Sequence, residues 1–260
     1  MPEGKEGRRV RASFRLRVGN RTLDARVNLP AEPVSVEELL PVLYAFADAY
    51  LRAVLAQAEE QGLRISCRSG CGACCAQLVP VSEAEARWLA NLIAAMPETR
   101  QRQVRAKFAA LRAKLEAAGL WERLRHTEAL PDLEARRRIG MEYFALGAPC
   151  PFLEDQSCSI YPDRPMRCRE YFVTSPAACC ADPRPETIRV VPLPVKFSEI
   201  LYCFDDGEGQ QSTKWVALSH ALEWAREHAS RQQRRLPAVQ MFRNFLIQIA
   251  PPHPLPLQAE

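Results

Sequence analysis

The first regular pattern along the chain is an alternation. Residues 10–29 set Phe14, Leu16 and Val18, then Leu23, Ala25, Val27 and Leu29, on one face, with Arg11, Arg15 and Arg17 on the other. Period-two patterning on both sides of Gly19-Asn20 predicts a β-hairpin with one solvated side. From Ser35 the period becomes helical. Ser35 with Glu38, and Ser82 with Glu85, form capping boxes that open helices predicted over 35–61 and 82–96. Gly62 stops the first of these, and Pro41 is expected to kink it or reset its start. Leu63–Ser66 reads as a short strand or an extended lead-in. Val104, Phe108, Leu111 and Leu115 recur at helical spacing and predict a helix over 98–118. Helical patterning resumes over 120–146, broken near Pro131 and ended by Gly147. Thr187–Phe197 reads as an edge strand interrupted by Pro192 and Pro194. Thr213–Ser230 and Ala238–Ile249 read as helices, and the proline-rich tail beyond them, like residues 1–9, is expected to fray.

These elements predict a mainly α fold with small β elements, built as a single domain around a loop-rich, metal-stapled cysteine lobe. Three segments are expected: a tail and hairpin over 1–34, a cysteine-cluster metal-binding domain over 35–210, and C-terminal helices with a tail over 211–260. A chain of 260 residues can bury one large core. Its 47% hydrophobic and 25% charged content excludes wholesale disorder and fibrous structure. A net charge of +4 is too mild to demand a nucleic-acid or membrane partner. The basic stretches at 1–30 and 98–140 read as solvated faces, and no aromatic residues interleave with the hairpin arginines as base-stacking platforms would. The charged N-terminus does not read as a secretory signal, and no long uncharged apolar window predicts a membrane span. The expected location is therefore cytoplasmic. Thiols stay reduced there, so ten cysteines point to metal or redox chemistry rather than to a disulfide frame.

Four of those cysteines crowd into one glycine-bearing segment: Cys67, Cys71, Cys74 and Cys75. Single cysteines are usually small core hydrophobes. Four within nine residues, flanked by Arg68 and Ser69, are better explained as loop thiols gathered for a soft metal. A second block carries Cys150, Cys158 and Cys168, and the intervening helices can fold back to make one composite site. The 148–186 lobe has little apolar periodicity, so its order is expected to depend on the bound metal. Arg164, Arg167 and Arg169 surround Cys168, where guanidinium groups can offset the charge of metal-bound thiolates. Tyr161 and Tyr171 cover the site or pack in the core. Cys179-Cys180 either complete a second site or are buried, and Cys203 reads as core.

The two blocks resemble the YkgJ-type cysteine-cluster family, the CxxCxxCC proteins described as zinc- or iron-chelating. The matching residues are Cys67, Cys71-Gly72-x-Cys74-Cys75, Cys150-Pro-Phe-Leu, Cys158, Ile160-Tyr161, Arg164-Pro165 and Cys168-Arg169. Here the first spacing is three residues where the family name implies two. The resemblance implies a metal centre, and through the related flagellin lysine methylases it leaves an enzyme open.

Seven motif thiols exceed the four of one zinc, and no second Cys-x2-Cys knuckle is present. Two ions or one cluster fit better, with the lean toward a [4Fe-4S] centre and zinc as the alternative. Cys67-x3-Cys71-x2-Cys74 also has radical-SAM spacing, but Ala73 stands where an aromatic residue is usual and the chain is too helical for a β/α barrel. A third reading is a structural zinc module with a basic, anion-binding surface. His126, His220, His228 and His253 form no ligand pattern with cysteine, although His220 and Glu223 share a helix face. No phosphate loop, nucleophile elbow or dinucleotide fingerprint is present, and Asp163 or Asp205-Asp206 make no acid–base pair, so no catalytic residue is assigned.

Overall fold

The computed structural model describes residues 8–18, 21–68, 70–127, 130, 132–184, 186–204 and 215–249. The Gly19-Asn20 turn, Asp205-Asp206, His253 and both tails lie outside them. The fold is mainly α with four small two-stranded sheets among the described residues.

Strands β1 (Arg9–Val18) and β2 (Arg21–Pro30) pair antiparallel with Phe14 opposite Ala25 and Leu16 opposite Leu23. Alternation sends Val18 and Leu29 fully inward and the arginines outward. Strand β3 (Pro33–Val34) leads into α1 (Val36–Glu60). The Ser35–Glu38 box is formed: Ser35 N–H donates to Glu38 at 2.7 Å and Glu38 N–H to the Ser35 hydroxyl at 3.3 Å. The helix runs through Pro41 without a break and ends before Gly62, whose φ of +88° favours glycine. By length and hydropathy α1 alone among the described helices could span a membrane, yet half of that window is buried in the protein. It serves as a core helix. Phe46 meets Phe14, Phe197, Phe242 and Phe245 at ring distances of 5.6, 5.8, 5.7 and 6.4 Å.

Strand β4 (Pro80–Val81) and the Ser82–Glu85 box start α2 (Glu83–Ala94), followed by α3 (Glu98–Ala117), α4 (Trp121–Arg125) and α5 (Leu133–Ala145). The 148–186 lobe holds a hairpin of β5 (Leu153–Glu154) and β6 (Ser157–Cys158), then α6 (Met166–Arg169) and α7 (Ala177–Ala181). It is better anchored than its sequence suggests. Phe152, Ile160, Met166 and Val173 are all buried.

Two expectations are corrected. Residues 187–197 form no strand: only Val190 bridges, to Val173, because Pro192 and Pro194 offer no N–H for a ladder. The segment instead ends in α8 (Phe197–Phe204), whose first turn is capped by Glu170 accepting from the Ser198 N–H and hydroxyl at 3.1 and 2.7 Å. The predicted helix from 213 begins later. Residues Val216–Ala217 form β7, paired with β4, and only Ala221–Glu227 is the helix α9. Strand β8 (Leu236–Pro237) pairs with β3 and leads into α10 (Ala238–Ile249).

Three apolar clusters result. The first joins the hairpin, α1, α8 and α10; the second joins α2, α3 and the lobe through Phe152 and Ile160; the third joins α4 and α5 to Tyr202 and Trp215. Hairpin and C-terminal helix thus share one core with α1.

His220 is buried, stacked 3.6 Å from the Trp121 ring. Its Nε2 lies 3.0 Å from the Trp121 carbonyl, which can only accept, so the neutral imidazole carries its proton there. Burial pushes its pKa down to about 4. Unfolded imidazole binds a proton below about 6.5, while the folded one refuses it until about 4. Stability is therefore full above pH 6.5 and is lost as pH falls toward 4, by up to roughly 3 kcal/mol. Urea midpoints across this range should show that loss in the wild type and a flatter profile in His220→Gln.

Candidate metal centre

The first cysteine segment is held by its own turns and by the lobe. Ser66 N–H donates to the Val173 carbonyl at 2.9 Å, and Val173 N–H returns a bond to the Cys67 sulfur at 3.4 Å. Cys71 N–H reaches the Arg68 carbonyl, and Cys75 N–H the Gly72 carbonyl at 2.9 Å, so the chain coils tightly around Cys71–Cys75. Gly70 supplies a left-handed residue at φ +78°. Gly72 serves a different purpose. A Cβ there would stand 2.7 Å from the Leu153 side chain and 3.2 Å from the Gln156 carbonyl. The two cysteine blocks are therefore pressed together where only glycine fits.

The second block meets the first through the main chain. Cys150 N–H donates to the Cys75 carbonyl at 2.7 Å. The β5–β6 hairpin turns at Asp155 and Gln156, both with positive φ (46° and 61°), and sets Cys158 opposite Leu153. Cys168 lies in α6, whose leading Met166 N–H donates to Glu85 at 2.6 Å. Glu85 also accepts from Tyr44 and from Ser82, and burial pushes its carboxyl pKa up.

Cys67, Cys71, Cys74, Cys75, Cys150, Cys158 and Cys168 all line one cavity of about 1010 Å³, and Cys180 joins them. Cys179 and Cys203 do not line it. All ten cysteines are free thiols. As positioned, no three ligating side chains among the described residues converge on one point at metal-bonding range. The Cys75 thiol donates to Cys74, which holds Cys74 down to about 7 and raises Cys75. Burial pushes Cys150 up to about 12, Cys180 up to about 11, and Cys67, Cys158 and Cys168 upward. Backbone N–H groups of Val173, Phe152 and Ile160 oppose that rise at Cys67, Cys150 and Cys158.

The three arginines separate. Arg164 and Arg167 line the cavity, and Arg169 does not. Arg164 stacks on Tyr161 at 4.0 Å, favours the thiolate at Cys67, Cys74, Cys158 and Cys168, and keeps a buried Nε with no partner among the described residues. Arg169 is 2% exposed. It pairs with Asp48 at 2.7 Å, donates to the Arg164 and Pro162 carbonyls, and stacks on Tyr44 at 4.2 Å. It braces the loop against α1. Tyr161 and Tyr171 both line the cavity. His220 and Glu223 form no ligand pair, since Glu223 bonds Arg112 at 2.7 Å. Sequence reasoning did not single out Arg136 and Arg137, which line the cavity from α5. Their only sequence signal was the triple arginine at 136–138.

The donor set fits a metal. It offers up to eight soft sulfurs, backbone donors aimed at three of them and a guanidinium nitrogen with no partner among the described residues. The model of the CxxCxxCC family, a family of proposed zinc- or iron-chelating domains, matches residues 66–200, more than half of the chain. The chain belongs to this family, and both cysteine blocks lie inside the match. No curated protein and no solved structure matches it.

Two substitutions separate the arginine roles. Arg164→Ala should weaken metal retention against a chelator by tenfold or more with the melting temperature nearly unchanged. Arg169→Ala should instead cost about 2 kcal/mol or more, because it strips a buried pair and two carbonyl partners. Calorimetry beside chelator competition reads both, and the same response from both variants would remove the distinction. Gly72→Val should cost about 1–3 kcal/mol by forcing the two blocks apart, and should lower metal content as well.

Proposed function

We propose that this chain is a cytoplasmic protein that holds an iron–sulfur centre of the [4Fe-4S] type through its composite cysteine cluster. The observation that carries this reading is the single cavity into which both cysteine blocks deliver their thiols. Cys67, Cys71, Cys74, Cys75, Cys150, Cys158 and Cys168 are the residues that would hold the metal, with Cys180 as an additional sulfur. Backbone N–H donors at Cys67, Cys150 and Cys158 support thiolate character, as do loops built on glycine. Free thiols throughout suit a reducing compartment. When bound, such a centre supplies one-electron chemistry. The chain's own contribution is to hold thiols, to place Arg164 against their negative charge, and to wall the site with Phe152, Tyr171 and Phe172.

Eight sulfurs also equal two tetrahedral zinc sets, which is the second reading. It would make the site a structural module.

Anaerobic purification followed by iron, sulfide and zinc analysis separates the two. Iron with matching sulfide and a visible charge-transfer band is expected, falling sharply in Cys74→Ser and Cys150→Ser. Zinc without sulfide would transfer the proposal to the second reading, and absence of both metals would end it. Hydrogen exchange gives a further outcome. Chelation should loosen residues 67–75 and 177–181, whereas Phe152, Ile160 and Met166 should keep their protection because apolar packing holds them.

A further inference from the structure

The cavity is larger than its thiols require. At about 1010 Å³ it is at the upper end of small-molecule sites, far more than a metal ion or an iron–sulfur cube fills. Among the described residues its wall carries Arg68, Arg136, Arg137, Arg164 and Arg167, against a single carboxylate, Glu199, which pairs with Lys196 at 3.2 Å. None of the five arginines forms an ion pair among the described residues, although arginines elsewhere commonly do, such as Arg100 with Glu154 at 2.6 Å and Arg112 with Glu223 at 2.7 Å.

Arg164 is accounted for by the thiols it faces. Arg136 and Arg137 are not. They enter from α5, and the largest arginine and lysine influences on the Cys150, Cys158 and Cys168 thiols are those of Arg164, Arg169 and Lys107. The Arg136 Nε is buried and has no partner among the described residues. One helical turn on, Gly140 also lines the cavity, and a Cβ built there would meet nothing within 4 Å. Glycine inside a helix costs about 0.5–1 kcal/mol relative to alanine, and here no atom among the described residues requires it. The missing side chain leaves open space at Gly140, and Tyr202 and Trp215 line the same cavity.

We infer that the α5 side of this cavity is a binding site for a small organic oxyanion, a carboxylate or phosphate monoester with a flat apolar body. Arg136 and Arg137 hold the anionic group, Gly140 leaves room for the body, and Tyr202 and Trp215 face it. Guanidinium forks match both oxyanions in geometry and charge. The ligand lies beside the thiol centre but does not use it, so the site is independent of which metal the cysteines hold.

The test is calorimetric titration of the full, metal-loaded chain with phenyl phosphate, benzoate and inorganic phosphate, with metal content measured on every sample. Phenyl phosphate or benzoate should bind, and whichever binds tighter identifies the anion. Inorganic phosphate should bind at least tenfold more weakly than the tighter of the two. Arg136→Ala/Arg137→Ala should weaken binding tenfold or more, and Gly140→Leu should block it, both at unchanged metal content. The inference is overturned if neither aryl anion binds, if inorganic phosphate binds as well as both, or if the variants bind like the wild type. It is also overturned if binding falls only in step with metal loss, which would make these arginines part of the thiol centre. A wild type purified without metal that still binds the aryl anion would leave this site standing while the metal reading failed.

Discussion

Glu85 is the carboxylate on which the placement of the cysteine lobe depends. Its two oxygens take the Ser82 N–H and hydroxyl that start α2, the Tyr44 hydroxyl from α1, and the Met166 N–H that opens α6. Three parts of the fold therefore converge on one buried group. Because the surroundings are dry, each of these donors would be left unsatisfied without it, and a buried donor with no acceptor costs far more than an ordinary bond contributes. Cys168 sits two residues beyond Met166, so the third thiol of the second block inherits its position from this carboxylate. Arg169 adds a second tie from the same short helix to Asp48 on α1.

The junction between the cysteine blocks obeys a different constraint, that of close approach. The Cys75 carbonyl and Cys150 N–H are joined directly, and Gly72 lies against Leu153 and Gln156 with no room for a side chain. The apolar residues next to the ligands then bind this junction to the helices. Phe152 packs on Phe108 at 5.6 Å, and Ile160 lies in the same cluster. The thiols thus rest on a packed frame, even though the segments carrying them have little regular structure.

Much of this could be read in the residue order, because the relevant signals are local. The hairpin alternation, the two capping boxes and the helix at 98–117 depend on neighbours within a few residues, and the cysteine spacing depends on chemistry that few other patterns share. What escaped reading depends on partners far away in the chain. Val216 and Ala217 are strand rather than helix because Pro80 and Val81 are there to pair with them. The helix from Phe197 to Phe204 went unread because its first turn is capped by Glu170, 28 residues earlier. Arg164 and Arg169 belong to the same motif and look equivalent in sequence, yet Arg164 lines the cavity while Arg169 is buried against Asp48 on α1. Only the fold of the loop separates them.

The two-residue pairing of β3 with β8 has a consequence for the order of events during synthesis. Arg235 donates to the Pro33 carbonyl from 202 residues away, and Val34 pairs with Leu236, so two segments far apart in sequence close on each other. Contacts this distant in sequence form only after the roughly 200 residues between them exist, and they slow folding. The cavity wall has the same property, since Tyr202 and Trp215 follow every thiol that lines it. A ribosome releasing this protein from its N-terminus exposes both cysteine blocks before their enclosure is built. The sulfurs therefore emerge before the wall that encloses them, whose last described residues are Trp215 and Leu218.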